Sequence, residues 1–180
     1  MIFVTLGTTN FAFTRLLTAI DQNMLKQKNT EPLIIQTKTP LKKHNYPHTT
    51  IYKQLTYKQM IKYYSSARIV ITHGGASSIF EALQYSKNIP LIIPRYKKYS
   101  EHINNHQVHF AKFLLQQKYQ LEIIFDNSKA QSQISKYLKN PQENKKMKGR
   151  LNSKNLLRSK KLKCSQKLIQ GLIQYCNSLK

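Results

Sequence analysis

Short apolar runs alternate along this chain with stretches whose apolar residues recur at helical spacing, and that alternation leaves few folds open. Ile2 to Leu6 is a β-prone run suited to a buried strand. Beyond the turn Gly7-Thr8-Thr9-Asn10, residues Phe13, Leu16, Leu17, Ile20 and Met24 fall at helical spacing, with Thr9 or Asn10 as the expected N-cap. Leu33-Ile34-Ile35 reads as a second strand and Ile51-Tyr52 as a short one. The intervening segment from Lys38 to Thr50, holding Pro40 and Pro47, reads as loop. Met60, Ile61 and Tyr64 mark a helix ahead of Arg68-Ile69-Val70-Ile71-Thr72, the strongest buried-strand pattern in the chain. A helix through Ile79, Ala82 and Leu83 follows. Next come the strand Leu91-Ile92-Ile93, stopped by Pro94, a helix from about His102 to Gln117, and a last strand from Leu121 to Phe125. Strands alternating with helices predict an α/β fold with a mainly parallel sheet.

With 180 residues, one domain plus an appendage is the expected organisation. The division is placed at residue 128. Residues 1–128 are expected to form the α/β domain, and residues 129–180 a basic helical extension packed on or beside it. After Asn127 the pattern turns helical and Lys-rich, with a break at Pro141. Leu151, Leu156, Leu157, Leu162, Leu168, Ile169 and Leu172 are spaced for an amphipathic helix, so the extension is expected to be helical. No run approaches the length of about 20 apolar residues that a membrane span needs. The opening Met1-Ile2-Phe3-Val4-Thr5-Leu6 lacks a basic leader and a small-residue cleavage site, so no signal peptide is expected. Cys164 and Cys176 read as reduced thiols of a cytosolic protein.

The net charge is +23, and it is uneven: Lys129 to Lys180 holds 14 basic residues against the single acid Glu143. Such a surplus suits either a polyanionic partner or a solvated lysine surface. A nucleic-acid-binding module is one reading of the charge and the 11 tyrosines. The tyrosines are scattered, however, and no helix-turn-helix, RRM or zinc pattern appears.

Ligands of open α/β sheets bind beyond the carboxyl ends of the strands. Gly7-Thr8-Thr9 follows the first strand, and His73-Gly74-Gly75-Ala76-Ser77-Ser78 follows the Arg68–Thr72 run. Gly74 and Gly75 let backbone approach a ligand, and the helix behind them offers unpaired N–H groups and a positive dipole end. Ser77 and Ser78 suit helix capping or a hydrogen bond to phosphate. Glu81, one turn further, suits a ribose diol or a simple offset to the dipole. Neither G-x-G-x-x-G nor a P-loop lysine is present. A third polar segment, Pro94 to His102, follows another strand end and is continued by Asn105, His106 and Gln107. His102 and His106 have the i, i+4 spacing of a metal pair, with His109 a turn beyond. No Glu lies between them and no third hard ligand is evident, so no metal is expected.

Taken in order, three segments resemble the C-terminal, donor-binding domain of family 28 glycosyltransferases. They are Phe3-Val4-Thr5-Leu6-Gly7-Thr8, Thr72 to Leu83, and Pro94 to Gln107. The likeness spans about Met1 to Phe125 and is closest to stand-alone versions. These include the cytosolic catalytic subunit of the eukaryotic two-part UDP-GlcNAc transferase of the dolichol pathway. They also include the split galactosyltransferases of bacterial capsule and exopolysaccharide synthesis. Asn105 stands where the family often has a small or acidic residue, and Ser86 and Ser100 stand where it has Gly.

The resemblance implies one Rossmann-like half of a GT-B enzyme and a UDP-sugar donor bound without a metal or separate cofactor. Galactose or GlcNAc would pass with inversion to a polyprenyl-diphosphate saccharide. Backbone of Gly74, Gly75, Ala76, Ser77 and Ser78 would hold the diphosphate, with His73 at the loop entrance. Glu81 would bind ribose, and Gly7 and Thr8 would close the cleft. Arg95, Glu101, His102 and Gln107 would complete the donor site, the last three reading sugar hydroxyls. A membrane-anchored partner subunit would supply the acceptor half and the general base. The chain would then be cytoplasmic and peripheral at the inner membrane face, its basic extension near the partner or an anionic bilayer. A non-catalytic accessory subunit is a further reading. Retention of His73, Glu81, Glu101 and His102 speaks against it.

Overall fold

The computed structural model describes residues 1–39, 46–117, 119, 121–125 and 127–141, together with 170, 173 and 177; no side-chain placement is given for 127–129. The expected Lys38–Thr50 loop therefore lies outside the described residues over 40–45, and so do both cysteines and the leucines of the extension. A first compact unit runs from Met1 to Glu143 and a second from Asn144 to Lys180. In the second, Gln170, Ile173 and Asn177 are helical and exposed.

Among its described residues the first unit has six strands and five α-helices: β1 (Ile2–Thr5), α1 (Thr14–Lys26), β2 (Leu33–Gln36), β3 (Thr49–Tyr52), α2 (Tyr57–Ser66), β4 (Ile69–His73), α3 (Ala76–Tyr85), β5 (Leu91–Ile93), α4 (His106–Gln116), β6 (Glu122–Ile123) and α5 (Asn127–Lys139). A 3₁₀ turn at Lys97–Tyr99 precedes α4. The sheet order is β3-β2-β1-β4-β5-β6 and every pairing is parallel. This is the Rossmann-like strand order, in which the chain reverses direction across the sheet between β1 and β4.

Alternation along the strands divides the core between the two faces. Ile2, Val4, Ile69, Ile71, Leu91 and Ile93 pack with Leu16, Ile20 and Met24 of α1 and Ala130, Ile134 and Leu138 of α5. Phe3 and Val70 face the other way, onto Tyr64 of α2 and Ala82 of α3. Phe3 and Tyr64 meet edge to face at 5.2 Å. Helix α5 thus belongs to the first unit, which runs past the 128/129 division expected from composition. Lysines crowd this segment, but its apolar residues at positions 130, 134, 137 and 138 form one buried stripe. Asn23 also donates to the Gln131 carbonyl at 3.2 Å, and Arg68 to that of Leu138 at 3.2 Å.

Two helix starts differ from expectation. Helix α1 begins at Thr14 with Phe13 as an uncapped N-cap residue, not at Thr9 or Asn10. The carbonyls of Phe11 and Ala12 are taken by Arg95, and Thr9 Oγ1 only accepts from the Phe11 N–H at 3.3 Å. Helix α4 begins at His106 rather than near His102. There the His106 N–H donates to Asn104 Oδ1, where a helix starting at His102 would use the His102 carbonyl, and Asn105 Oδ1 accepts the Lys97 N–H of the preceding turn. Helix α2, by contrast, starts on a full capping box between Thr56 and Gln59.

Candidate functional site

The topological reversal between β1 and β4 opens a crevice at the carboxyl ends of those strands. Thr5 of β1 lies opposite Thr72 of β4, so the loops that follow emerge side by side. A cavity of about 350 Å³ lies there, lined by Thr5, Gly7, Thr8, His73, Ser77, Ser78 and Glu81. It is also lined by Gln36 at the end of β2, by Gln54 and Leu55 of the loop before α2, and by Tyr57 and Met60 of α2.

Each loop has a local physical cause. Gly7 adopts φ +74°, a left-handed conformation that glycine takes without a Cβ clash. Gln36 holds it there: Nε2 donates to the Gly7 carbonyl at 3.2 Å, and Oε1 accepts from Thr5 Oγ1 at 2.8 Å. Helix α3 begins at Ala76 after Gly75, and no side chain caps it. Its first-turn N–H groups therefore have no intrahelical acceptor, they carry the positive end of the dipole, and Ser77 and Ser78 of that turn line the cavity. Such an end suits an anion, phosphate above all. Ser77 and Ser78 add two hydroxyls beside it.

Glu81 stands one turn along α3. Among the described residues its carboxylate has no hydrogen-bond or ion-pair partner, and partial burial raises its pKa. An unengaged acceptor pair on a cavity wall suits a diol. His73 is 8% exposed, with its Nε2 edge against Gly7 and Gly75. Burial, then the nearby Arg95 charge, pushes its pKa down to about 4, opposed in part by the Thr5 backbone. The ring is therefore neutral at physiological pH. Its Nδ1 is buried without a hydrogen bond of ordinary geometry.

The remaining expected donor residues lie elsewhere. Arg95 is 1% exposed. It donates to the carbonyls of Leu6 (2.9 Å), Phe11 (2.9 Å) and Glu101 (3.2 Å). Burial lowers its pKa to about 10, so it stays charged at neutral pH. Glu101 is paired through both oxygens with Arg15 at 2.8 Å, and it also accepts the Tyr96 N–H. Gln107 Oε1 accepts the backbone N–H groups of Gly74 (3.0 Å) and Arg95 (3.2 Å). His102 stacks on Phe11 at 5.8 Å and meets His106 edge-on at 4.5 Å. None of Arg95, Glu101, His102 and Gln107 lines the cavity. Among the described residues no three His, Cys, Asp or Glu side chains converge as metal ligands. Among them, too, no helix is long and apolar enough to cross a membrane.

Sequence reasoning missed Arg15, Gln36 and the wall from Gln54 to Met60. Arg15 falls between Phe13 and Leu16 of the expected helix, with no motif to single it out. The T-x-x-Q box at Thr56–Gln59 was the available signal for the wall, since it fixes where α2 starts.

The sequence itself has a family match. The model of the glycosyltransferase family 28 C-terminal domain matches residues 1–163. The chain belongs to this family. As a family 28 domain it is a glycosyltransferase, and its parallel sheet with flanking helices is that of one half of a GT-B enzyme. No curated protein matches the chain. Among solved structures, it is similar to the flavodoxin-like domain of a Synechococcus sp. protein. That likeness has 11% identity and a TM-score of 0.44, covering 77% of this chain and 99% of the other.

Proposed function

We propose that this family 28 domain is the donor-binding half of a two-part UDP-sugar transferase. The observation that carries the reading is the cavity at the β1/β4 reversal, which meets the uncapped start of α3 and, one turn along the same helix, the unengaged Glu81 carboxylate. The donor diphosphate lies against the backbone of Gly74 to Ser78, with the Ser77 and Ser78 hydroxyls beside it. Glu81 accepts the ribose hydroxyls. Gly7 and Thr8 cover the diphosphate from the first loop, and neutral His73 backs the two glycine loops. Backbone donors and a helix dipole stabilise the charge that develops on the leaving UDP, with no metal required.

The moving group is a hexose, galactose or GlcNAc, transferred with inversion to a polyprenyl-diphosphate saccharide in exopolysaccharide or capsule synthesis. The acceptor half and the general base belong to a membrane-anchored partner subunit, as in the two-part transferases that the three segments resemble. The chain therefore works on the cytoplasmic face of the membrane. The test is transfer of labelled hexose from UDP-hexose to lipid-linked acceptor by membranes lacking this chain. Adding the purified chain restores incorporation. Equal incorporation with and without it contradicts the reading.

A further inference from the structure

Gln107 and Arg95 sit where three loops of the crevice meet, yet neither lines the cavity. Gln107 Oε1 receives two N–H groups from different loops, Gly74 after β4 and Arg95 after β5. Both partners are donors, so the amide oxygen must be the atom between them. The fit is close: a Cβ on Gly74 would stand 2.8 Å from Gln107 Cβ. Arg95 then carries the link onward. Its guanidinium crosses to the β1–α1 loop, donating to Leu6 and Phe11 carbonyls, and lies 4.5 Å over the Phe13 ring. Arg15 of α1 closes the circuit through Glu101 and the Pro94 carbonyl. A buried cation is costly unless polar groups surround it, and here backbone carbonyls of two loops do so.

We infer that Gln107 and Arg95 are positioning residues that fix the Gly74–Ser78 loop against the β1–α1 loop, acting on the donor's diphosphate through backbone instead of touching its sugar. The inference rests on the donor-binding reading of the same crevice. It has a distinctive consequence. A residue that reads sugar hydroxyls affects UDP-hexose and leaves UDP alone. A residue that sets the diphosphate loop affects both equally.

The test compares UDP and UDP-galactose binding in the wild type, Gln107→Leu and Gln107→Glu. Gln107→Leu removes the shared acceptor and weakens both ligands about tenfold, the scale of one lost buried hydrogen bond. Gln107→Glu keeps an oxygen for both N–H groups, and it binds both ligands within about threefold of wild type. If Gln107→Leu binds UDP normally and loses only UDP-galactose affinity, the inference is overturned. Should Gln107→Leu not fold, Gln107→Glu decides alone: selective loss of UDP-galactose overturns the inference, and equal retention supports it. Amide hydrogen exchange at Gly74 and Arg95 separates failure of the brace from failure of donor binding. If wild type binds no UDP, the donor reading fails. Faster exchange at both amides in Gln107→Leu still upholds the brace, and unchanged exchange overturns it.

Discussion

The imidazole of His73 occupies the space a side chain at position 7 would need: a Cβ on Gly7 would stand 2.8 Å from His73 Nε2. Gly75 is closed to a Cβ by the same ring edge. One buried, neutral ring thus sets the spacing of the two loops that frame the crevice, and both glycines follow from it.

Gly7→Ala is therefore expected to destabilise the fold by about 2–4 kcal/mol, combining a left-handed non-glycine residue with overpacking against the ring. Urea unfolding measures it. In a His73→Ala background the steric part disappears, so the double-mutant cycle should show coupling. Additive losses would contradict the wedge.

Stability should fall on acidification. The folded pKa of His73 is depressed from 6.5 to about 4 by burial, so between those values the unfolded chain binds the extra proton. Stability from this group is complete above about pH 6.5 and is lost as pH falls toward 4, by up to about 3 kcal/mol. His102 and His106, also depressed by burial, act in the same direction. Glu81, raised by burial, opposes them at the acid end. Unfolding free energies across pH 4–7 should slope upward, and the slope should flatten in His73→Gln. An unchanged slope would show that His73 is not the group responsible.

Helix α1 ends in a Schellman arrangement, with Asn29 N–H bonded to the Met24 carbonyl and Lys28 N–H to that of Leu25. Lys28 carries the left-handed position at φ 48°. Lys28→Gly is expected to stabilise by about 0.5–1 kcal/mol. A lower thermal midpoint in this variant would count against the arrangement.

Glu81→Ala should leave the fold intact and weaken UDP binding about 10- to 100-fold, as loss of hydrogen bonds to a charged acceptor predicts. Far-ultraviolet circular dichroism checks the fold and titration checks the affinity. Wild-type affinity in the variant would remove Glu81 from the ribose.

Much of the fold was readable because short apolar runs such as Ile69-Val70-Ile71 have few other uses, and their alternation with helices dictates a parallel sheet. Helix starts were less readable. The start of α1 depends on Arg95, 81 positions beyond Thr14 in the chain, claiming the Phe11 and Ala12 carbonyls. The glycine loops and Glu81 were legible because they follow strand ends in sequence. Glu101 and Gln107 looked equally available to a ligand. Only the folded arrangement shows their acceptor atoms already taken by Arg15, Tyr96, Gly74 and Arg95. The lysines near α5 obscured a buried stripe, since composition weighs the solvated face as heavily as the packed one.

The proposed function requires the crevice between the β1 and β4 loops to hold a uridine diphosphate donor without a metal. Calorimetric titration of the purified chain with UDP in EDTA, with ADP as control, tests it most directly. The account predicts saturable UDP binding that persists in EDTA and at moderate salt, with ADP much weaker. Equal binding of both nucleotides, lost as salt rises, would contradict it and assign the binding to the basic surface.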